Sequence, residues 1–282
     1  MRIPPCPFSF RFAGCLAAFS LLATWVQAEP NPINFTDQSA GFKNGSLKGQ
    51  SDWAVFVQPT YSGDFVFVSG TGVSLKQSAS GAGFAYAFMF SKDLPAGKDT
   101  FQPGDAMTIT ADFFVVEARP DGGTGGGILG LGWGQYAPVG SNNMPFGADL
   151  TRAPGDAGYK LNFRTITKGQ VGGDTSIAIP SAALGIDSGA NHPTSDPLQL
   201  SFTLTQTDGE RKEWSSVAIL TNLKTKKSVV LKNSVTGVTT VYSTENLVRA
   251  YVDERTAASD DHLSSVIITK IDQDPAVDPL AQ

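Results

Sequence analysis

The chain predicts an all-β protein, a two-sheet antiparallel jelly-roll sandwich in one domain. Three observations carry this. Roughly a dozen segments alternate apolar and polar residues with period two or read as short buried strands. Almost no stretch has helical spacing. The 30 glycines and 17 prolines of the 282 residues punctuate the segments with turns. So many strands must stack as two sheets or close on themselves, because one open sheet would leave edges and an apolar face bare.

In chain order, residues 1–28 read as a secretory signal peptide. Arg2 and Arg11 supply the positive end, Ala13 to Val26 a short apolar run, and Val26-Gln27-Ala28 the small residues that precede a cleavage site. The run is shorter than the ~20 residues that span a bilayer. Both cysteines, Cys6 and Cys15, lie in this leader, so the mature chain has no disulfide or thiol chemistry. The expectation is a secreted protein, extracellular or periplasmic, with no membrane insertion after cleavage.

Residues 29–273 form the sandwich and 274–282 a flexible tail. Strands are expected at 53–58, 64–69, 73–77 and 84–90, the last alternating Phe84, Tyr86, Phe88 and Phe90 with Ala85, Ala87 and Met89. The longest runs from Ala106 to Arg119, followed by 128–134 and 159–165. Segment 198–207 sets Leu198, Leu200, Phe202 and Leu204 against Gln199, Ser201, Thr203 and Thr205. Segments 214–223 and 228–232 read as a hairpin whose turn carries Lys224, Lys226 and Lys227. Strands at 247–252 and 264–271 close the domain. Between them, 119–127, 135–158 and 166–197 read as long loops, with a short helix at 181–186.

The chain carries 21 Lys and Arg against 26 Asp and Glu, a formal net charge of −5. Without a basic cluster it is a poor binder of nucleic acid or anionic membrane, since both require cations that displace counterions.

Residues Phe42 to Trp53 read FKNGSLKGQSDW, and the closing segment Asp261 to Ile271 reads DHLSSVIITKI. The "G-S-L-x-G-Q-x-x-W" opening resembles secreted bacterial proteins of the concanavalin A-like lectin/glucanase superfamily, including LamG-like domains. The closing segment resembles their last strand, which returns beside the first. The resemblance implies a curved two-sheet jelly roll with a role in carbohydrate binding or cleavage. Within it Gly45 and Gly49 would serve turns, Gln50 would bond to backbone and Trp53 would fill the core.

The catalytic patterns of the superfamily are missing from the sequence. No Glu-x-Asp-x-x-Glu strand occurs. Asp112 and Glu117 share a strand, but five residues put them on opposite faces and ~17 Å apart, against the ~5 Å of a retaining pair. The only histidines, His192 and His262, sit in loops outside any Gln-x-His strand. No Gly-x-Ser-x-Gly elbow is present. Gly122 to Gly127 lacks the Lys and Ser/Thr of a phosphate loop. No cofactor is required; calcium is the optional ligand that the resemblance implies, with Asp260 and Asp261 as candidate ligands.

One arrangement has the character of a site. Gly130, Gly132 and Gly134 alternate with Leu129, Leu131 and Trp133, and Lys160, Asn162 and Arg164 alternate with Tyr159, Leu161 and Phe163. With the apolar sets inward, a glycine stripe and a row of polar donors share the opposite, concave face. Bare glycine in a strand marks close approach by a ligand or another backbone. Tyr136, just past the stripe, could stack on a sugar ring. The preferred function is therefore a secreted, non-catalytic, lectin-like module whose partner is a polysaccharide or glycan. The alternatives are a structural or adhesive envelope protein without a small ligand, and a polysaccharide-active hydrolase or lyase.

Overall fold

Alternation in the sequence becomes antiparallel pairing at every strand contact. The structure is a computed structural model that describes residues 33–36, 42–47, 50, 53–57, 64–68, 70–76, 84–91, 104, 106–116, 126–135, 146–152, 158–164, 166–167, 170–171, 176–187, 190, 193–208, 213–235, 246–255 and 265–274. The strands are β1 (Ile33–Asn34), β2 (Gly45–Ser46), β3 (Trp53–Val57), β4 (Asp64–Val68), β5 (Gly72–Lys76) and β6 (Phe84–Ser91). Then come β7 (Ala106–Val116), β8 (Gly126–Gln135), β9 (Phe146–Arg152), β10 (Tyr159–Arg164), β11 (Ile166–Thr167), β12 (Gln170–Val171) and β13 (Ser176–Ile179). A 3₁₀ helix at Ser181–Leu184 precedes β14 (Leu198–Asp208), β15 (Glu213–Asn222), β16 (Lys227–Val235), β17 (Asn246–Arg255) and β18 (Ser265–Asp274).

They form two large sheets. One has nine strands, in the order β16-β15-β14-β7-β18-β5-β4-β2 with β1 added on β18; the other has seven, in the order β13-β10-β9-β8-β17-β6-β3. The closing strand does return beside the first, with Ile33 paired to Ile271 and Asn34 to Lys270. The core lies between the sheets. Leu198, Leu200, Phe202 and Leu204 are buried from one side, and Leu129, Leu131, Leu150, Tyr159 and Leu161 from the other. The alternation read at 159–163 and 198–204 is thus the inward and outward alternation of the fold.

Two of the expected long loops contain strands. Segment 135–158 holds β9 and segment 166–197 holds β13 at the sheet edge, so neither is wholly irregular. The end of the second segment is tied down. Ser195 donates its backbone N–H to Val115 O at 2.8 Å, and its Oγ accepts the N–H of Val115 at 2.9 Å. Leu184 and Ile186 are buried beneath it. The described part of this segment therefore closes an edge and an end of the sandwich.

The opening motif is structural, as its residue types suggest. Gly45 has φ +122°, a region glycine favours. Gln50 Oε1 accepts the N–H of Lys43, and its Nε2 donates to the carbonyls of Lys43 and Ser46, all at 2.7 Å. Gly49 lies outside the described residues.

The lysine-rich turn between β15 and β16 is more than a solvated loop. Lys224 Nζ reaches Asp196 Oδ1 at 2.8 Å. That ammonium, and secondarily the Asn222 amide, hold the Asp196 carboxyl below the usual aspartate range, against the opposing effect of burial. A carboxyl lowered on folding adds stability above its unfolded pKa of about 3.9 and loses it as pH falls through the folded value. Lys224 is 71% exposed, so the pair is screened. We expect Lys224→Ala to cost less than about 1 kcal/mol at pH 7. Urea unfolding at pH 7 and pH 2 should show that deficit shrinking in acid; a deficit equal at both pH values would contradict the assignment.

Candidate functional site on the outer face of the seven-stranded sheet

Cross-strand partners share a face, so register shows what the outer face carries. Leu129 and Leu131 are 1% and 0% exposed on the core side, so alternation puts Gly130 and Gly132 on the opposite side of the sheet, where both are nonetheless buried. Gly130 pairs with Asp149 of β9, and Asp149 pairs with Asn162 of β10. On the other side Gly130 pairs with Tyr251 of β17, which pairs with Phe88 of β6. One row across the sheet therefore runs Phe88, Tyr251, Gly130, Asp149, Asn162, ending at Ser176 of β13.

The next row runs Phe90, Arg249, Gly132, Gly147, Arg164. By register, Gly130 and Gly132 of β8 lie on the same side of the sheet as Asn162 and Arg164 of β10, separated by β9, and Gly130, Gly132 and Gly147 are buried there. Gly134 continues the stripe and pairs with Leu247. Tyr136, Asp260 and Asp261 lie outside the described residues, as do His192 and His262.

Side chains along β10 and β9 form a small polar network. Asn162 Nδ2 donates to Thr151 Oγ1 at 2.9 Å. Lys160 is exposed and Asn162 half-buried, whereas Asp149 is only 1% exposed. On the core side Tyr159 and Leu161 are buried, and Phe163 sits edge-on to Phe202 with ring centroids 6.1 Å apart. That packing fixes the strand and hence the positions of Asn162 and Arg164.

Asp149, Arg249 and Tyr251 share these rows by register and were not singled out in the sequence. Asp149 fell in a supposed loop, although Phe146, Ala148 and Leu150 alternate with Gly147, Asp149 and Thr151. Arg249 and Tyr251 were in a recognised strand, but nothing local reveals its register against β8.

The opposite sheet shows a different pattern. Asp112 accepts a hydrogen bond from Gln199 Nε2 at 2.8 Å and pairs across to Lys270. Lys270 Nζ lies 2.9 Å from Asp272 Oδ2. Both acids are thus held in hydrogen-bonded contacts on the outer face of the nine-stranded sheet. Among the described residues no group of three or more His, Cys, Asp or Glu is placed to hold a metal ion. No helix among the described residues is long and apolar enough to cross a membrane.

This architecture is the concanavalin A-like jelly roll, the fold of lectins and related modules. A seed lectin of Lotus tetragonolobus is similar in fold, with 8% identity over 82% of this chain and 96% of the lectin and a TM-score of 0.50. So is the CBM2 module of the evolved Dit protein of Lactobacillus casei BL23 phage J-1, with 7% identity over 87% of this chain and 95% of the module and a TM-score of 0.50. The carbohydrate-recognition domain of Emp46p aligns at 14% identity over 90% of this chain and 99% of that domain, with a TM-score of 0.47. No protein-family model matches the sequence, and no curated protein matches it in sequence.

Proposed function

We propose that the protein is a secreted, non-catalytic carbohydrate-binding module that takes a glycan on the outer face of its seven-stranded sheet. The observation that carries this reading is the polar row of β10, with Lys160 exposed and Asn162 half-buried on the side away from the core. Sugar rings offer hydroxyls at their edges and C–H groups on their faces. An ammonium and an amide both bond hydroxyls. The lectin-like fold supports the reading, and the leader at residues 1–28 supports a location where glycans are met.

The test is binding of the purified protein to a glycan panel, with and without calcium, followed by variants against the best ligand. Lys160→Ala and Asn162→Ala should each weaken binding about 10-fold or more, since each removes a hydrogen-bond donor to the ligand, charged in the first case. Melting temperatures report whether the variants remain folded. Unchanged affinity in both folded variants would remove the site from this face. Binding that vanishes with a chelator and returns with calcium would support the calcium expectation.

A further inference from the structure

The nine-stranded sheet ends in an open edge. β16 stands last in the strand order, and among the described residues β15 is its one ladder partner. Every second residue of β16 therefore turns its N–H and C=O away from the sheet, over nine residues or about 30 Å. Its inner side is closed, with Leu231 buried and Val229 packed against the core. Its outer side is open. Leu200 and Phe202 face the core, which puts Ser201, and by register Ile219 and Val230, on the outer face. Val230 is 46% exposed there. Ser228, Lys232 and Ser234 on the same face are exposed, as are Lys226 and Lys227 at the turn end. Folded proteins blunt such edges with bulges, proline or lysine. β16 pairs with β15 without a register shift and contains no proline, so lysine is its one protection.

We propose that this edge docks an acidic extended peptide, which joins the sheet as a further strand beside β16. The outward N–H and C=O groups supply the ladder, and the side chains of the outer face select the sequence. A carboxylate placed opposite Lys232 meets an exposed ammonium that has no ion pair among the described residues. An apolar residue opposite Val230 covers it, with half-buried Ile219 behind. Charge decides between this occupant and a second copy of the chain. The sequence of β16, KSVVLKNSV, has no acid to offer a copy, and the outward Thr221, Ile219 and Val217 of β15 have none either. Pairing two copies about Leu231 would set each Lys232 opposite Val230 and diagonal to the other Lys232, ~7–8 Å away. The lysines thus oppose self-pairing and attract an acidic strand.

The test uses the whole protein and short synthetic peptides of alternating glutamate and valine. Control peptides carry lysine for glutamate, or proline at alternate positions; single-stranded DNA is the polyanion control. The glutamate peptide should bind saturably and slow amide hydrogen exchange at alternate residues of β16, with the edge strand β13 unchanged. The lysine and proline peptides should bind at least about 10-fold more weakly, since one repels the edge and the other cannot form the ladder. Lys232→Glu should weaken the glutamate peptide by about 10-fold and improve the lysine peptide. Melting temperatures report whether that variant is folded, and Lys232→Arg should keep the affinity. Absence of binding, protection at β13 instead of β16, or equal binding of the proline peptide would overturn the proposal. So would DNA binding as tight as that of the glutamate peptide, or a concentration-dependent dimer that protects β16 without peptide.

Discussion

Gly72→Ala should destabilise the protein by about 3 kcal/mol or more, with Gly70→Ala as its control. Gly72 opens β5 with φ +123°, where an L side chain is strained. A Cβ there would also run into the carbonyl oxygen of Ile268, a backbone atom of β18 that cannot swing away. The pairs Val73 with Ile268 and Ser74 with Ile267 would have to open to accommodate it. Their loss would strip β5 and the strands beyond it, β4 and β2, from the nine-stranded sheet. Gly70 has φ +79° but no heavy atom within 4 Å of an added Cβ. Its substitution should cost only the backbone strain, about 1 kcal/mol. Chemical unfolding of the two variants isolates the steric contribution. Equal losses would show that β5 and β18 are not packed as described.

Asn222→Ala is the second large effect, expected at about 3 kcal/mol. Asn222 ends β15 and is 4% exposed. Its Oδ1 accepts the N–H groups of Lys224 and Thr225, each at 3.0 Å, which shapes the turn into β16. Its Nδ2 donates to Ala183 O in the 3₁₀ helix and to Asp196 Oδ2, also at 3.0 Å each. One amide thus joins the β15–β16 turn, the helix and the segment leading into β14. Truncation leaves several of these partners with an unmet hydrogen bond in a partly buried place, the costly way to lose one. Only the bond to Asp196 depends on its charge, so most of the deficit should persist at pH 2. That separates Asn222→Ala from Lys224→Ala, whose smaller deficit should shrink in acid. A loss below about 1 kcal/mol would mean that the turn is held by its backbone alone.

These two residues illustrate what the sequence made legible and what it did not. The alternation of Leu198 to Thr205 is clean because its inward residues are large and apolar and its outward ones small and polar, and the strand was read to within a residue. Phe146–Arg152 was not read as a strand, because its outward positions, Gly147 and Asp149, are residues that strands disfavour in isolation. The sheet tolerates them there because neighbours on both sides supply the pairing. The glycine stripe and the polar row were visible as local patterns. Their grouping with Asp149 depends on register across two hairpins, and with Arg249 and Tyr251 on register between segments more than a hundred residues apart, which no local pattern encodes. The tie between Asn222 and Ala183 spans 39 residues and is also invisible to local patterns.

The central claim is that saccharide binds across the outer face of the seven-stranded sheet. The most direct measurement is amide-resonance mapping during titration with the best panel ligand. Shifts should concentrate at Gly130, Gly132, Gly147, Asp149 and Asn162, with Gln199, Thr203 and Thr221 on the outer face of the other sheet unmoved. Saturable shifts confined to that other sheet or to the turn at Lys224 would contradict the account.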